Sequence, residues 1–437
     1  MNNASLSLMQ RLQGLFAYLA YLLLFTLLLP LLPLRLLWRS RTAPAYRQRI
    51  AERFGISALQ CAQPAIWVHA VSVGEVVAVT GLVEQLLQRY PQHDIVVTTS
   101  TPTGSKQLTD SFARRVKHVY APYDWPGFVW LFWRRVRPAL VIVVETELWP
   151  GMLAWCRWHQ VPALICNARL SAKSAAGYQR VSWLARPMLQ QLTIAAQFAD
   201  DAERFIALGA EPALVEVCGS VKFDVQIEQP LLSQAAQLRE RFALASRSAV
   251  WLAASTHEGE DAALLDAHRQ LLLEHPASLL ILVPRHPERF ASVANLVLES
   301  GLSLSRVSSV SDGSHCQVLL VDEMGLLNAF YGCCDVAFVG GSLVAVGGHN
   351  LIEPALWKLP LLSGPHTYNF AAISEQFVRA DALQIVDNAE QLLEALLALF
   401  ARADLREQRG ANALALVEKN RGALDKQLAL IARQLNC

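Results

Sequence analysis

The stretch Phe338–Glu353, FVGGSLVAVGGHNLIE, decides how the chain is read. An apolar run, Val336–Val339, ends in Gly340-Gly341, and a second pair, Gly347-Gly348, follows. His349, Asn350 and, at the start of a helix, Glu353 complete it. Strand, glycine-rich loop and helix together offer bare backbone N–H groups and a helix N-terminus to an anion. The spacing is neither G-x-G-x-x-G nor G-x-x-x-x-G-K-[ST], so neither nucleotide fingerprint applies. Glycine pairs also mark tight turns that hold no ligand.

The same strand-then-loop pattern recurs on both sides. Towards the N-terminus of this half, apolar runs lie at Val250–Ala254, Leu279–Val283 and Val318–Val321; beyond the stretch lie Leu359–Leu362 and Leu383–Val386. The first half repeats the rhythm at Ile66–Val71, Ile95–Thr99, Val116–Ala121, Leu140–Val144, Ala163–Cys166 and Thr193–Ala196. Short continuous apolar strands alternating with helices predict parallel, doubly wound sheets, whose ligands sit beyond the carboxyl ends of the strands. A break falls at Phe223–Pro230, and Ala411–Leu435 reads as one amphipathic helix. The expected division is an N-terminal anchor with a basic collar (1–40), two Rossmann-like α/β domains (41–225 and 226–410) and a C-terminal helix (411–437). Two such halves with a cleft between them suggest the glycosyltransferase B architecture, although other two-domain α/β enzymes fit the periodicity equally well.

At 437 residues the chain has room for two domains with full cores. A net charge of +1 argues against a broad nucleic-acid footprint. Eight cysteines without a C-x-x-C pair read as free thiols in a reducing compartment, and no His/Cys cluster has zinc spacing. Neither a metal nor another cofactor is expected.

Leu12–Leu37 is almost continuously apolar, with Pro30 and Pro33 near its end. Leu15–Leu34 is long enough to cross a bilayer. Arg35, Arg39, Arg41, Arg47 and Arg49 follow it and only Arg11 precedes it, which places the bulk of the chain in the cytoplasm. A helix that stops at the prolines and lies in the interface is the other reading. A cleaved signal peptide is excluded by the length of the run, the side on which the basic residues lie and the lack of a small-residue cleavage site.

Polar groups gather at the strand ends. Glu75 stands where the first strand hands over to its helix; a helix N-terminus favours its carboxylate form, so a base working near neutral pH needs burial. Serving that helix end is the plainer role for it. Glu145 and Glu147 flank Thr146 at another strand end and share a face only if the strand continues. Asn167-Ala168-Arg169 ends the next strand. Lys222, in GSVKFD at the junction of the halves, is placed either to neutralise a phosphate or carboxylate or to stand in solvent. In the second half, Ser255–Glu260 (STHEGE), Pro284-Arg285, Met324-Gly325 and the opening stretch are four strand-end clusters, for which a nucleotide is the natural ligand. Arg285 suits a phosphate and Glu353 suits ribose hydroxyls. His349 reads equally as a structural hydrogen-bonder or a catalyst.

These motifs resemble the bacterial 3-deoxy-D-manno-octulosonic acid (Kdo) transferases. The resemblance rests on APAYRQR (Ala43–Arg49), HAVSVGE (His69–Glu75), TPTGS (Thr101–Ser105), VYAPYD (Val119–Asp124), ETELWP (Glu145–Pro150), NARLSAKSAAGY (Asn167–Tyr178), GSVKFD (Gly219–Asp224), STHEGE, LVPRHPERF (Leu282–Phe290), FVGGSL (Phe338–Leu343) and GGHN (Gly347–Asn350), in order along nearly the whole chain. It implies the B-type glycosyltransferase fold and an enzyme of the inner membrane with its catalytic domains facing the cytoplasm. It implies CMP-Kdo as donor, lipid IVA as acceptor, membrane lipids as surroundings and an inverting displacement. It implies Glu75 as general base, with Glu145 and Lys222 supporting the transition state. CMP is then held by Pro284 and Arg285, by Met324, Gly325 and Leu326, and by Asn350, Leu351, Ile352 and Glu353. The family motif at the second of these is M-G-E, so Leu326 departs from it. A membrane-bound enzyme of the same fold using a UDP-sugar, and a non-catalytic nucleotide-binding membrane protein, are the competing classes.

Overall fold

The computed structural model of the chain describes residues 8–309 and 316–435. The outermost residues of the expected anchor and tail segments, 1–7 and 436–437, lie outside it, Cys437 included. The chain forms two compact units, one running to Asp224 and resuming at Arg421, the other spanning Val225–Asn420.

The first unit holds seven parallel strands: β1 (Ala65–His69), β2 (Asp94–Thr99), β3 (Lys117–Tyr120), β4 (Pro138–Val144), β5 (Ala163–Ala168), β6 (Thr193–Ala196) and β7 (Val215–Val217), in the order β3-β2-β1-β4-β5-β6-β7. The second holds β8 (Ala249–Thr256), β9 (Ser278–Pro284), β10 (Leu304–Arg306), β11 (Val318–Leu320), β12 (Val336–Val339), β13 (Leu361–Ser363) and β14 (Leu383–Ile385), in the order β10-β11-β9-β8-β12-β13-β14. The central strands are buried on both faces, which is why they read as unbroken apolar runs. Parallel pairing puts every strand-to-helix loop of a sheet at one edge, and all the polar clusters named above lie there.

The tail is not one helix. Ala403–Lys419 belongs to the second unit and Ala423–Leu435 to the first, separated by Gly422 in a left-handed conformation (φ 87°). Asp224 accepts the backbone N–H groups of Gly422 and Leu424, each at 2.6 Å, and so starts the last helix. Leu428 and Ile431 then enter the core of the first unit.

The apolar N-terminus is not one helix either. Leu8–Leu28 ends before Pro30, whose ring cannot continue it, and Leu31–Thr42 departs at 57°. Among the described residues no single helix is long and apolar enough to cross a membrane, although this bent pair together passes by length and composition. One face of the first helix docks on the first unit. Ala17 and Tyr18 are buried, the Tyr21 hydroxyl donates to Asp124 Oδ2 at 2.9 Å, and Trp125 Nε1 donates to Thr26 at 3.1 Å. The other face leaves Phe16, Leu19, Leu23 and Leu27 exposed, and Trp38 of the second helix is exposed as well.

The opening stretch folds around an internal anion. Glu260, fully buried, accepts N–H groups from Gly341 (2.7 Å), Ser342 (2.9 Å), Leu343 (2.9 Å) and His257 (2.9 Å). The bare amides after β12 therefore serve a carboxylate of the chain itself, which corrects the reading of Gly340-Gly341 as part of a ligand loop. Gly340 is needed because a Cβ there would lie 2.9 Å from the Ala254 carbonyl and 3.0 Å from Glu260. Glu260→Ala strands four donors, of which the buried Gly341 and Ser342 amides each cost about 1–3 kcal/mol unless water replaces the acceptor. Thermal unfolding of the full chain should show the midpoint lowered by several degrees, and an unchanged midpoint would contradict this account of the loop.

Candidate active site

Strands β1, β4 and β5 are neighbours, so the loops that leave them lie side by side. Ser72 caps the helix Val73–Ala78 and accepts the Glu75 N–H at 3.3 Å. The Ser72 hydroxyl donates to Glu75 Oε1 at 2.8 Å, and the Val71 N–H donates to Oε2 at 2.7 Å. The plainer role of Glu75, serving its helix end, is thus realised. The residue is only 7 % exposed. Burial pushes its carboxyl up to about 7, against the pull of those two hydrogen bonds and with help from the charges of Glu147 and Glu145. Burial therefore outweighs the helix-end effect that sequence reasoning weighed first.

β4 stops at Val144, and Glu145 turns into a left-handed conformation (φ 59°), its N–H donating to the Cys166 carbonyl at 3.0 Å. The turn separates the two acids: Glu147 accepts the Trp149 indole N–H at 2.8 Å. Lys222 lies in the turn Val221–Phe223, at the end of the first unit and two residues before the boundary at Asp224. Its segment follows the edge strand β7 and is drawn towards β5 by Asn167, whose Oδ1 accepts the Val221 N–H at 3.3 Å. Burial lowers the Lys222 pKa; the charge of Glu145 opposes this and that of Arg169 adds to it. Glu75, Glu145 and Lys222 therefore stand around one sheet edge of one unit, with Arg169 beside them.

Sequence reasoning missed His69 here. It is fully buried at the end of β1, its Nδ1 lies 2.9 Å from the Thr98 hydroxyl, and its ring meets Trp149 edge-on at 4.5 Å. Burial drives its pKa down to about 3, so it stays neutral. Its place at the head of HAVSVGE was the available signal.

In the second unit the adjacent strands β11, β9, β8 and β12 deliver the clusters. Pro284 ends β9, and Arg285 follows, exposed, with its N–H donating to the Thr256 carbonyl at 3.0 Å. Asn350 opens the five-residue helix Ile352–Leu356: its Oδ1 accepts the Ile352 N–H and its Nδ2 donates to Glu353 Oε1, both at 3.0 Å. Burial raises the Glu353 pKa, and Asn350 and the Arg285 charge hold it back. Leu351 and Ile352 are buried, which leaves their backbone as what they can offer a ligand. Met324 is exposed, Gly325 has φ 87°, and Leu326 precedes the helix Leu327–Tyr331. These three share the edge with Arg285, but no hydrogen bond or ion pair joins them to it among the described residues.

The histidines of this edge were not legible as a group. His257 follows β8, His286 follows β9 and His349 follows β12, and they converge: His257 Nε2 lies 2.9 Å from His349 Nε2, and the His286 ring stands edge-on to His257 at 5.3 Å. Among the described residues no three or more His, Cys, Asp or Glu side chains are grouped to hold a metal ion.

Comparison with known proteins gives these residues a context. A family model described as 3-deoxy-D-manno-octulosonic-acid transferase matches residues 48–225. The 3-deoxy-D-manno-octulosonic acid transferase of Haemophilus influenzae is 41 % identical over 394 residues, covering 89 % of this chain and 92 % of that protein. The protein of the same name from Bordetella pertussis is 34 % identical over 86 % of this chain and 89 % of its own length. A glycosyltransferase structure from Rickettsia africae matches with a TM-score of 0.55 over 86 % of this chain and 99 % of that one; at 13 % identity this is a likeness of fold. With that identity along nearly its whole length, the chain belongs to the 3-deoxy-D-manno-octulosonic acid transferase family of glycosyltransferases.

Proposed function

We propose that the chain transfers Kdo from CMP-Kdo to lipid IVA, in lipopolysaccharide biosynthesis, with Glu75 as general base. The observation that carries this reading is the buried Glu75 carboxyl, raised to about 7 and grouped with Glu145 and Lys222 in a member of this family. A carboxylate of that pKa is half ionised at neutral pH and still basic enough to take a proton in the transition state. Glu75 removes the proton of an acceptor hydroxyl. The oxygen attacks the anomeric carbon of Kdo, and CMP departs from the opposite face with inversion. Lys222 and Glu145 balance charge around the oxocarbenium-like state. Pro284, Arg285, the backbone of Met324–Leu326, and Asn350 to Glu353 hold the CMP, with Arg285 on its phosphate and Glu353 accepting from the ribose. A backbone role at Leu326 makes the missing family glutamate tolerable.

We further infer that the N-terminal helix pair lies in the surface of the cytoplasmic membrane, with both units on the cytoplasmic side. Docking of one helix face on the first unit, exposure of leucines on the other, and the bend at Pro30 support an in-plane helix over a spanning one. Arg35, Arg39 and Arg41 then meet anionic headgroups, where the lipid acceptor resides.

Two measurements test these readings. Glu75→Gln should still bind CMP-Kdo but lose turnover by about 10²-fold or more, read from product mass with lipid IVA. Wild-type turnover should rise with pH through about 7 and then level off, a limb the variant lacks; turnover like that of wild type in the variant would defeat the assignment. Leu19→Glu, Leu23→Glu and Leu27→Glu combined should release the protein from vesicles of anionic lipid while leaving CMP binding intact. Undiminished vesicle binding would count against the in-plane helix.

A further inference from the structure

The head-to-head histidines on the second unit have no part in the scheme above. His257 Nε2 and His349 Nε2 are 2.9 Å apart, the rings are tilted by 10°, and their centroids are 5.1 Å apart. That separation exceeds the nitrogen contact by about two ring radii, so the imidazoles meet edge to edge in one plane rather than face to face. Such a contact needs one N–H and one lone pair. The pair therefore carries at most one positive charge while it is closed. One proton added at the accepting Nε2 breaks the contact, since both Nε2 atoms then carry N–H groups and can donate outward.

The surroundings decide which state holds. Glu260, whose charge favours protonation, lies beneath the pair and is saturated by four backbone amides. Arg285 and His286 from the end of β9 act against protonation, as does Arg289, which is itself paired with Asp261. Burial is the largest influence on both rings and, for His349, leaves the imidazole at about 4. Both rings are half-buried, and Arg285 and His286 beside them are exposed, so the group is open to solvent on one side. Without a ligand the pair is closed and neutral at pH 7. An anion placed against Arg285 cancels the cationic charge that opposes protonation and offers both rings an acceptor.

We propose that His257 and His349 form a proton-linked phosphate subsite, closed on itself when empty and opened by a nucleotide monophosphate, with uptake of a proton from solvent. The proposal rests on the reading of the second unit as the CMP-binding one. The monoester formed when the sugar leaves carries one more negative charge than the diester donor, so the subsite favours the departing group.

Calorimetric titration of the full-length chain in detergent with CMP, in buffers of different ionisation enthalpy between pH 6 and 8, counts the protons exchanged. Wild type should take up close to one proton per CMP relative to His349→Gln, and its affinity should weaken by up to about tenfold per pH unit. Comparing the two proteins cancels the ionisation of CMP itself. His349→Gln should still bind CMP at pH 8, and His286→Gln, whose ring lies outside the pair, should keep the proton uptake. Equal proton exchange in wild type and His349→Gln would overturn the subsite while leaving the donor reading intact. Failure of wild type to bind CMP at any pH would overturn the donor reading and the subsite with it.

Discussion

Buried carboxylates that accept backbone N–H groups hold the working edges of both sheets together. A parallel strand that ends in a tight loop leaves amides pointing away from the ladder, and burial makes each unpaired amide expensive. Glu75 takes the amide of Val71, Asp124 those of Gly151 and Met152, Asp201 that of Leu170, and Glu260 those of His257, Gly341, Ser342 and Leu343. Each joins loops from different strands or closes a helix start. The chemistry proposed for the first unit is built on this framework, since Glu75 is both one of the ties and the residue proposed as base.

That double use explains the electrostatics. The helix end and two hydrogen bonds pull the Glu75 carboxyl down, and exclusion from water together with two nearby acids pushes it up further. Asp124 is driven to about 7 by the same burial in spite of three donors, but one of those is Tyr21 of the N-terminal helix. It ties the apolar helix to the domain. The left-handed turn at Glu145 and the side-chain bridge from Asn167 bring an acid and a lysine to the same edge as Glu75.

The two parallel sheets were legible in the sequence because central strands buried on both faces must be continuously apolar. The edge strands Val215–Val217 and Leu304–Arg306 were missed: each has three residues, and neither is buried throughout. Pro30 carried the break in the N-terminal helix, but the length of the apolar run around it points equally to a single span. The acceptor for the Gly341 amide was hidden because Glu260 lies 81 residues away in the chain. The same holds for His257 and His349, 92 residues apart, which meet only because β8 and β12 are neighbours. Glu75, Glu145, Arg285 and Glu353 were identifiable as strand-end residues, since parallel pairing fixes which edge a loop occupies, whereas Lys222 was placed only at the junction of the halves because the short strand before it was missed. Their burial and partners required the fold.

The central claim is that burial holds the Glu75 proton to near-neutral pH, and the most direct test is a difference infrared titration of wild type against Glu75→Gln. The absorption of the protonated Glu75 carboxyl should disappear with a midpoint at about 7. A midpoint at 4.5, the ordinary value for a glutamate, would contradict the account.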